Sequence, residues 1–209
     1  MSIFCIGRNY VEHAHELGNE VPTSAIIFMK PDTALLPKGE NFSIPSFTND
    51  LHFEGELVLR VSKQGKNLTE LHPEGIPVID YCDAISVGID FTARDLQNKL
   101  KEKGLPWEKA KAFDNAAVLG EWHSLTKEIL SGPIHYTLSK NGSTVQTGDS
   151  SLMIFPLDKI LAGITEYFTI YPGDLIYTGT PAGVGPTAKG DTFEGFFEGQ
   201  SVFSLKVNP

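Results

Sequence analysis

The chain has 209 residues, 41% hydrophobic and 21% charged, with a formal net charge of -9. That length suits one domain spanning 1–209, and the composition is that of a soluble globular protein. The acidic balance, with no run of Lys or Arg, excludes nucleic acid and anionic membranes as expected partners. Cys5 and Cys82 lie in apolar stretches and form no C-x-x-C pair, so reduced thiols and a cytoplasmic location are expected. The opening MSIFCIGRNY has no basic leader, and no apolar run reaches membrane-span length.

In chain order, Ile3–Ile6 reads as a short strand stopped by Gly7. NYVEHAHELGN then reads as a helix that Asn9 caps and Gly18 ends. AIIFMKP and SIPSF read as extended pieces closed by proline. LHFEGELVLR, residues 51–60, reads as one strand, and residues 62–77 as a polar loop with one helical turn. A strand over Ala84–Asp90 gives way to the helix TARDLQNKLKEKG, closed by Gly104. IHYTLSKNGSTVQTG is a hairpin with Asn141-Gly142 at its turn. Pro156 and Asp158 open a helix whose apolar face is Ile160, Leu161, Ile164, Tyr167 and Phe168. LIYTGT and SVFSLKV complete the strands. Strands outnumber helices without βαβ alternation, so the expected class is α+β on a mainly antiparallel or mixed sheet.

The 51–60 strand poses the chemical question. Period-two alternation sets His52, Glu54, Glu56, Val58 and Arg60 on one face, with the two Glu Cα atoms about 6.6 Å apart. Two such anions repel unless water screens them or a cation lies between them. An edge strand with a solvated acidic face and a metal site are both compatible with this stretch. Asp90, where a strand meets a helix, could supply a third oxygen or simply cap the helix, and Asp83 competes with it. An all-oxygen set suits Mg²⁺ or Mn²⁺. Arg94 and Gln97 share a helix face, and so do two His–Glu pairs, His13 with Glu16 and Glu12 with His15. TGTPAGVGP lacks a phosphate-loop pattern and reads as a turn whose amides hold a carboxylate. No G-x-S-x-G elbow and no cysteine with a plausible base is present, which leaves covalent catalysis unsupported.

Together, IGRNYVEHAHELGN, IFMKPDTAL, LHFEGELVL, DFTARDLQNKLKEKGLPWEKAKAFD, SSLMIF and IYTGTPAGVGP resemble the fumarylacetoacetate hydrolase family, in its short acylpyruvase-like members. The resemblance implies a mainly β, mixed β-sandwich roll with a few short helices, commonly a homodimer. It implies Mg²⁺, with Mn²⁺ or Ca²⁺ in its place, on Glu54, Glu56 and Asp90, with Asp83 left out. It implies His13 with Glu16 as the catalytic dyad and Gln97 and Lys111 steadying a developing oxyanion. Arg94, Lys30 and Thr180 would bind the substrate, a small 2-oxo acid. The implied reaction is hydrolysis of a 2,4-diketo acid, of acylpyruvate or fumarylpyruvate type, to pyruvate and a carboxylic acid. The intact dyad favours hydrolysis; oxaloacetate decarboxylation or tautomerisation, and hydroxy-dienedioate isomerisation, are the alternatives. Phe53 and Gly55 depart from the family pattern on the strand face opposite the carboxylates, and residues 62–77 look longer than in relatives.

Overall fold

The structure, a computed structural model, describes residues 1–18 and 20–209; Asn19, the last residue of the first motif, lies outside them. Strands β1 (Ile3–Gly7) and β2 (Ile26–Lys30) bracket helix α1 (Val11–Glu16), which ends at Gly18 with φ +64°. Asn9 is not its cap: that position is Tyr10, and Asn9 turns inward. Asn9 Nδ2 donates to the carbonyls of Phe155 and Thr178 at 3.0 and 2.8 Å, and its Oδ1 accepts from Phe155 N at 2.7 Å. A carboxamide gains more from two donors and one acceptor satisfied in the interior than from one capping bond. SIPSF forms no strand; only Phe42, just before it, bridges Val207.

The predicted strand at 51–60 is two strands, β3 (Leu51–Phe53) and β4 (Gly55–Val61), with Glu54 between them. Single turns α2 (Leu68–Leu71) and α3 (Val78–Tyr81) lead to β5 (Cys82–Asp90). β6 (Thr92–Ala93) opens into α4 (Arg94–Glu102), and α5 (Glu108–Lys111) follows. β7 (Ala117–Leu119), β8 (His123–Ser124) and α6 (Lys127–Leu130) precede the hairpin of β9 (His135–Lys140) and β10 (Ser143–Asp149). Asn141 and Gly142 turn it with φ of +52° and +78°, the pair of positive values that a type I′ turn needs. Helix α7 (Leu157–Tyr167) buries Ile160, Leu161 and Ile164, but Tyr167 and Phe168 are 67% and 37% exposed, so its buried stripe ends a turn earlier than expected. β11 (Leu175–Tyr177), β12 (Gly185–Pro186), β13 (Thr192–Phe197) and β14 (Gln200–Lys206) complete the chain.

The fold is mixed α+β and mainly β. Among the described residues a seven-stranded sheet runs β2-β1-β11-β4-β5-β7, with β8 also on β5; its neighbours are antiparallel except β1 and β11. A second sheet runs β10-β9-β13-β14, and β12-β3-β6 forms a third. The chain thus changes sheets at Glu54. Phe42, Phe53, Phe91, Leu138 and Phe193 pack between the sheets, with the Phe53 and Phe193 rings 5.2 Å apart. A Cβ on Gly55 would lie 3.1 Å from Gln146 Oε1 and 3.2 Å from Leu138 Cβ, so the second sheet approaches β4 closely there. Both family departures, Phe53 and Gly55, therefore serve this packed face.

Candidate active site

The carboxylates meet where β4 and β5 run side by side. Glu56 pairs with Gly88 in register, and Asp90 ends β5 with its N–H donating to the Glu54 carbonyl at 2.8 Å. Oxygens of Glu54, Glu56 and Asp90 lie within 4.8 Å of one another, on side chains whose residues are only 5%, 2% and 1% exposed. β4 is central in its sheet, so the solvated-edge reading of these glutamates does not hold. Neither does a capping role for Asp90, because α4 starts after Ala93. Asp83 sits on the surface with Arg60 and belongs to no such cluster.

Three cations are packed into the same space. Lys111 Nζ donates to Glu54 Oε2, Asp90 Oδ2 and Thr92 Oγ1 at 2.8, 2.7 and 2.6 Å. Lys30 Nζ lies 2.7 Å from Asp90 Oδ1 and donates to the Lys111 carbonyl. Arg94 donates through Nη2 to Glu54 and through Nη1 to Gln97 Oε1, the latter at 2.6 Å. Glu56 has no cation partner among the described residues; the N–H of Gly179 donates to it at 2.7 Å. Burial opposes ionisation of Glu54, yet Lys111 and Arg94 outweigh it and hold that carboxyl far below its usual range. Burial, with Asp90 and Glu54 alongside, pushes Glu56 well above it. Burial lowers the Lys111 ammonium pKa, but Asp90 and Glu54 more than offset that and leave it raised.

A hard divalent cation fits this donor set: the ligands are all oxygen, they are buried and convergent, and Glu56 is an acid lacking a positive partner. The neighbouring glycine-rich turn supplies amides as its sequence suggested. Gly183 N donates to both Glu16 oxygens at 3.2 Å, as Gly179 N does to Glu56.

A small cavity above the carboxylates is lined by His13, Glu54, Glu56, Asp90, Arg94 and Gln97, and also by Lys111 and Thr180. His13 is buried, and its Nδ1 lies 3.5 Å from Glu16 Oε2. Burial lowers the His13 pKa, with Glu54 and Glu16 pulling the other way. His15 and Glu12, the competing dyad, are exposed. Thr180 Oγ1 donates to the Gly55 carbonyl at 2.9 Å and accepts from Gln146 Nε2 at 2.8 Å. Lys30 lies behind Asp90 and does not reach the cavity wall. Sequence reasoning missed Arg8, Lys101, Trp107 and Gln146. Lys101 was legible, because it continues the Arg94–Gln97 face of α4; Trp107 and Gln146 carry no local signal.

Residues 2–207 match the model of the fumarylacetoacetate (FAA) hydrolase C-terminal family. The chain belongs to this family. Its relatives within the family carry different reactions. The oxaloacetate tautomerase YcgM of Escherichia coli is 37% identical over 202 residues, 96% of this chain and 90% of that protein. The crystal structure of fumarylpyruvate hydrolase from Pseudomonas aeruginosa in complex with Mn²⁺ and pyruvate is 30% identical. It superposes with a TM-score of 0.89, covering 100% of this chain and 89% of that one. The 2-hydroxyhepta-2,4-diene-1,7-dioate isomerase of Mycobacterium marinum, also 30% identical, gives a TM-score of 0.81 over 99% of this chain and 74% of that one. Family membership establishes hydrolase or isomerase/tautomerase chemistry and leaves the reaction open. No helix of the described residues is long and apolar enough to cross a membrane.

Proposed function

We propose that this chain is a divalent-metal-dependent enzyme of short 2-oxo acids with His13 as its base, and that its reaction is keto–enol tautomerisation of oxaloacetate. Lys111 carries this reading. Its three N–H donors are all engaged, on Glu54, Asp90 and Thr92, and an ammonium has no fourth. Hydrolysis passes through a tetrahedral oxyanion that needs fresh donors. Tautomerisation asks only that one base move a proton between carbon and oxygen. The 37% identity to an oxaloacetate tautomerase points the same way.

In this reading burial keeps His13 neutral, so that it accepts the C3 proton, while Glu16 orients the ring and favours the imidazolium that forms. Arg94, fixed by Glu54 and Gln97, binds the substrate carboxylate, and the Thr180 hydroxyl, fixed by Gly55 and Gln146, borders the reacting atoms. Lys111 and Lys30 act as positioning residues that hold Glu54 and Asp90 ionised and in place. A divalent ion on Glu54, Glu56 and Asp90 would supply Lewis-acid polarisation of the 2-oxo acid head. The reading takes Mg²⁺ as that ion, with Mn²⁺ or Ca²⁺ as substitutes, in a cytoplasmic homodimer of single-domain chains.

Hydrolysis of a 2,4-diketo acid is the second reading. It is favoured by the Gln97 amide nitrogen on the cavity wall, which remains able to donate because its oxygen takes the Arg94 bond. Two parallel assays with Mg²⁺ decide between them: loss of the ultraviolet absorbance of enol-oxaloacetate, and cleavage of acetylpyruvate. The expected outcome is accelerated ketonisation that falls about 10²–10⁴-fold in His13→Gln. Cleavage of acetylpyruvate with ketonisation at its uncatalysed rate would put hydrolysis in its place.

A further inference from the structure

The turn after β1 holds a feature that the proposed chemistry does not use. Arg8 has φ +57°, a left-handed backbone that side-chain-bearing residues adopt only at a cost, although glycine and asparagine, which take it more easily, stand on either side at Gly7 and Asn9. The turn is rigid. Asn9 is locked by its three side-chain hydrogen bonds, and a Cβ on Gly179 would come within 2.5 Å of Asn9 Cβ, so only a glycine lets these segments meet. Strain kept in a tightly tied turn is a mark of function at the side chain it aims.

That side chain lines the cavity with His13 and Arg94. Lys30, Arg94 and Lys111 each face a carboxylate, whereas the half-buried Arg8 guanidinium has no hydrogen bond or ion pair among the described residues. Burial alone lowers its pKa, with no acid offsetting it. Lys101, lower than usual through burial, Arg8 and Arg94, adds to the same positive field. The cavity therefore has carboxylates at its floor and, on its wall, the Arg8 guanidinium, which no carboxylate among the described residues pairs with.

We propose that Arg8 is a specificity-determining residue that receives a second, distal carboxylate of the substrate, so that the protein selects 2-oxo dicarboxylates over 2-oxo acids with neutral tails. This rests on the reading of the cavity as a 2-oxo acid site. The two ideas fail separately in a binding experiment that needs no turnover. Calorimetry on Mn²⁺-loaded protein compares 2-oxoglutarate with 2-oxopentanoate, equal in length and differing by the distal carboxylate. Wild type binds the dicarboxylate at least about tenfold more tightly, as a charge-assisted bond requires. Arg8→Gln abolishes most of that preference, and Arg8→Lys, which keeps the charge without the fork, retains an intermediate ratio. Equal binding of the two ligands by wild type overturns the Arg8 assignment alone, as does an equal loss of both in Arg8→Gln. Failure of wild type to bind either ligand overturns the 2-oxo acid reading and the assignment with it.

Discussion

Acidic and basic side chains meet at both ends of strands β4 and β5, and the two ends differ in burial and in where the cations come from. At one end Arg60 grips Asp83 through Nε and Nη2, both at 2.9 Å, with side chains 40% and 48% exposed. At the other, Glu54, Glu56 and Asp90 are sealed among Lys30, Arg94 and Lys111. The exposed pair has the better single geometry, yet water screens it and it adds little to stability. The buried group costs desolvation for every charge and leaves Glu56 with no ion pair among the described residues. Packing alone does not account for such an arrangement, whereas the proposed metal site would call for it.

The contrast can be broken by substitution. Asp90→Ala removes the carboxylate that pairs with the buried Lys30 ammonium and leaves Lys111 with Glu54 as its remaining carboxylate, and urea unfolding should show a loss of about 3–5 kcal/mol. A loss below about 1 kcal/mol would place the buried end in the same class as the surface pair. The pH dependence sharpens it next. Burial lowers the His13 pKa from 6.5, and a base works only when neutral, so kcat/KM should stay level above that value. It should then fall about tenfold, about 1.4 kcal/mol, for each pH unit below the lowered pKa. A midpoint above 6.5 contradicts a burial-dominated His13. The smallest effect belongs to the surface: Asp83→Ala should cost about 0.2–1 kcal/mol and leave turnover intact.

Much of this was legible in local pattern. The Asn141-Gly142 turn, the Gly18 and Gly104 helix stops and the Arg94–Gln97 face follow from rules that act over a few residues, and the structure has all of them. Spacing alone left Asp83 against Asp90 and His15 against His13 open, because burial is a tertiary property; the structure exposes the first of each pair and buries the second. The misreadings have the same origin. LHFEGELVLR looks continuous because alternation is blind to a change of sheet at Glu54, and Asn9 looks like a cap because its two partner residues lie 146 and 169 residues away. Tyr167 and Phe168 keep helical periodicity at the end of α7, where Tyr167 is exposed and Phe168, its C-cap, only leans on Phe4 with ring centroids 5.6 Å apart. Arg8 gave no signal, since a left-handed arginine is visible only in the backbone.

Calorimetric titration of Mn²⁺ into the metal-free protein, wild type beside Glu56→Gln, tests the core of the account most directly. One ion should bind per chain, and neutralising the acid that has no cation partner should weaken that binding by at least about tenfold. Absence of binding to wild type, or equal affinity in the two proteins, would contradict it.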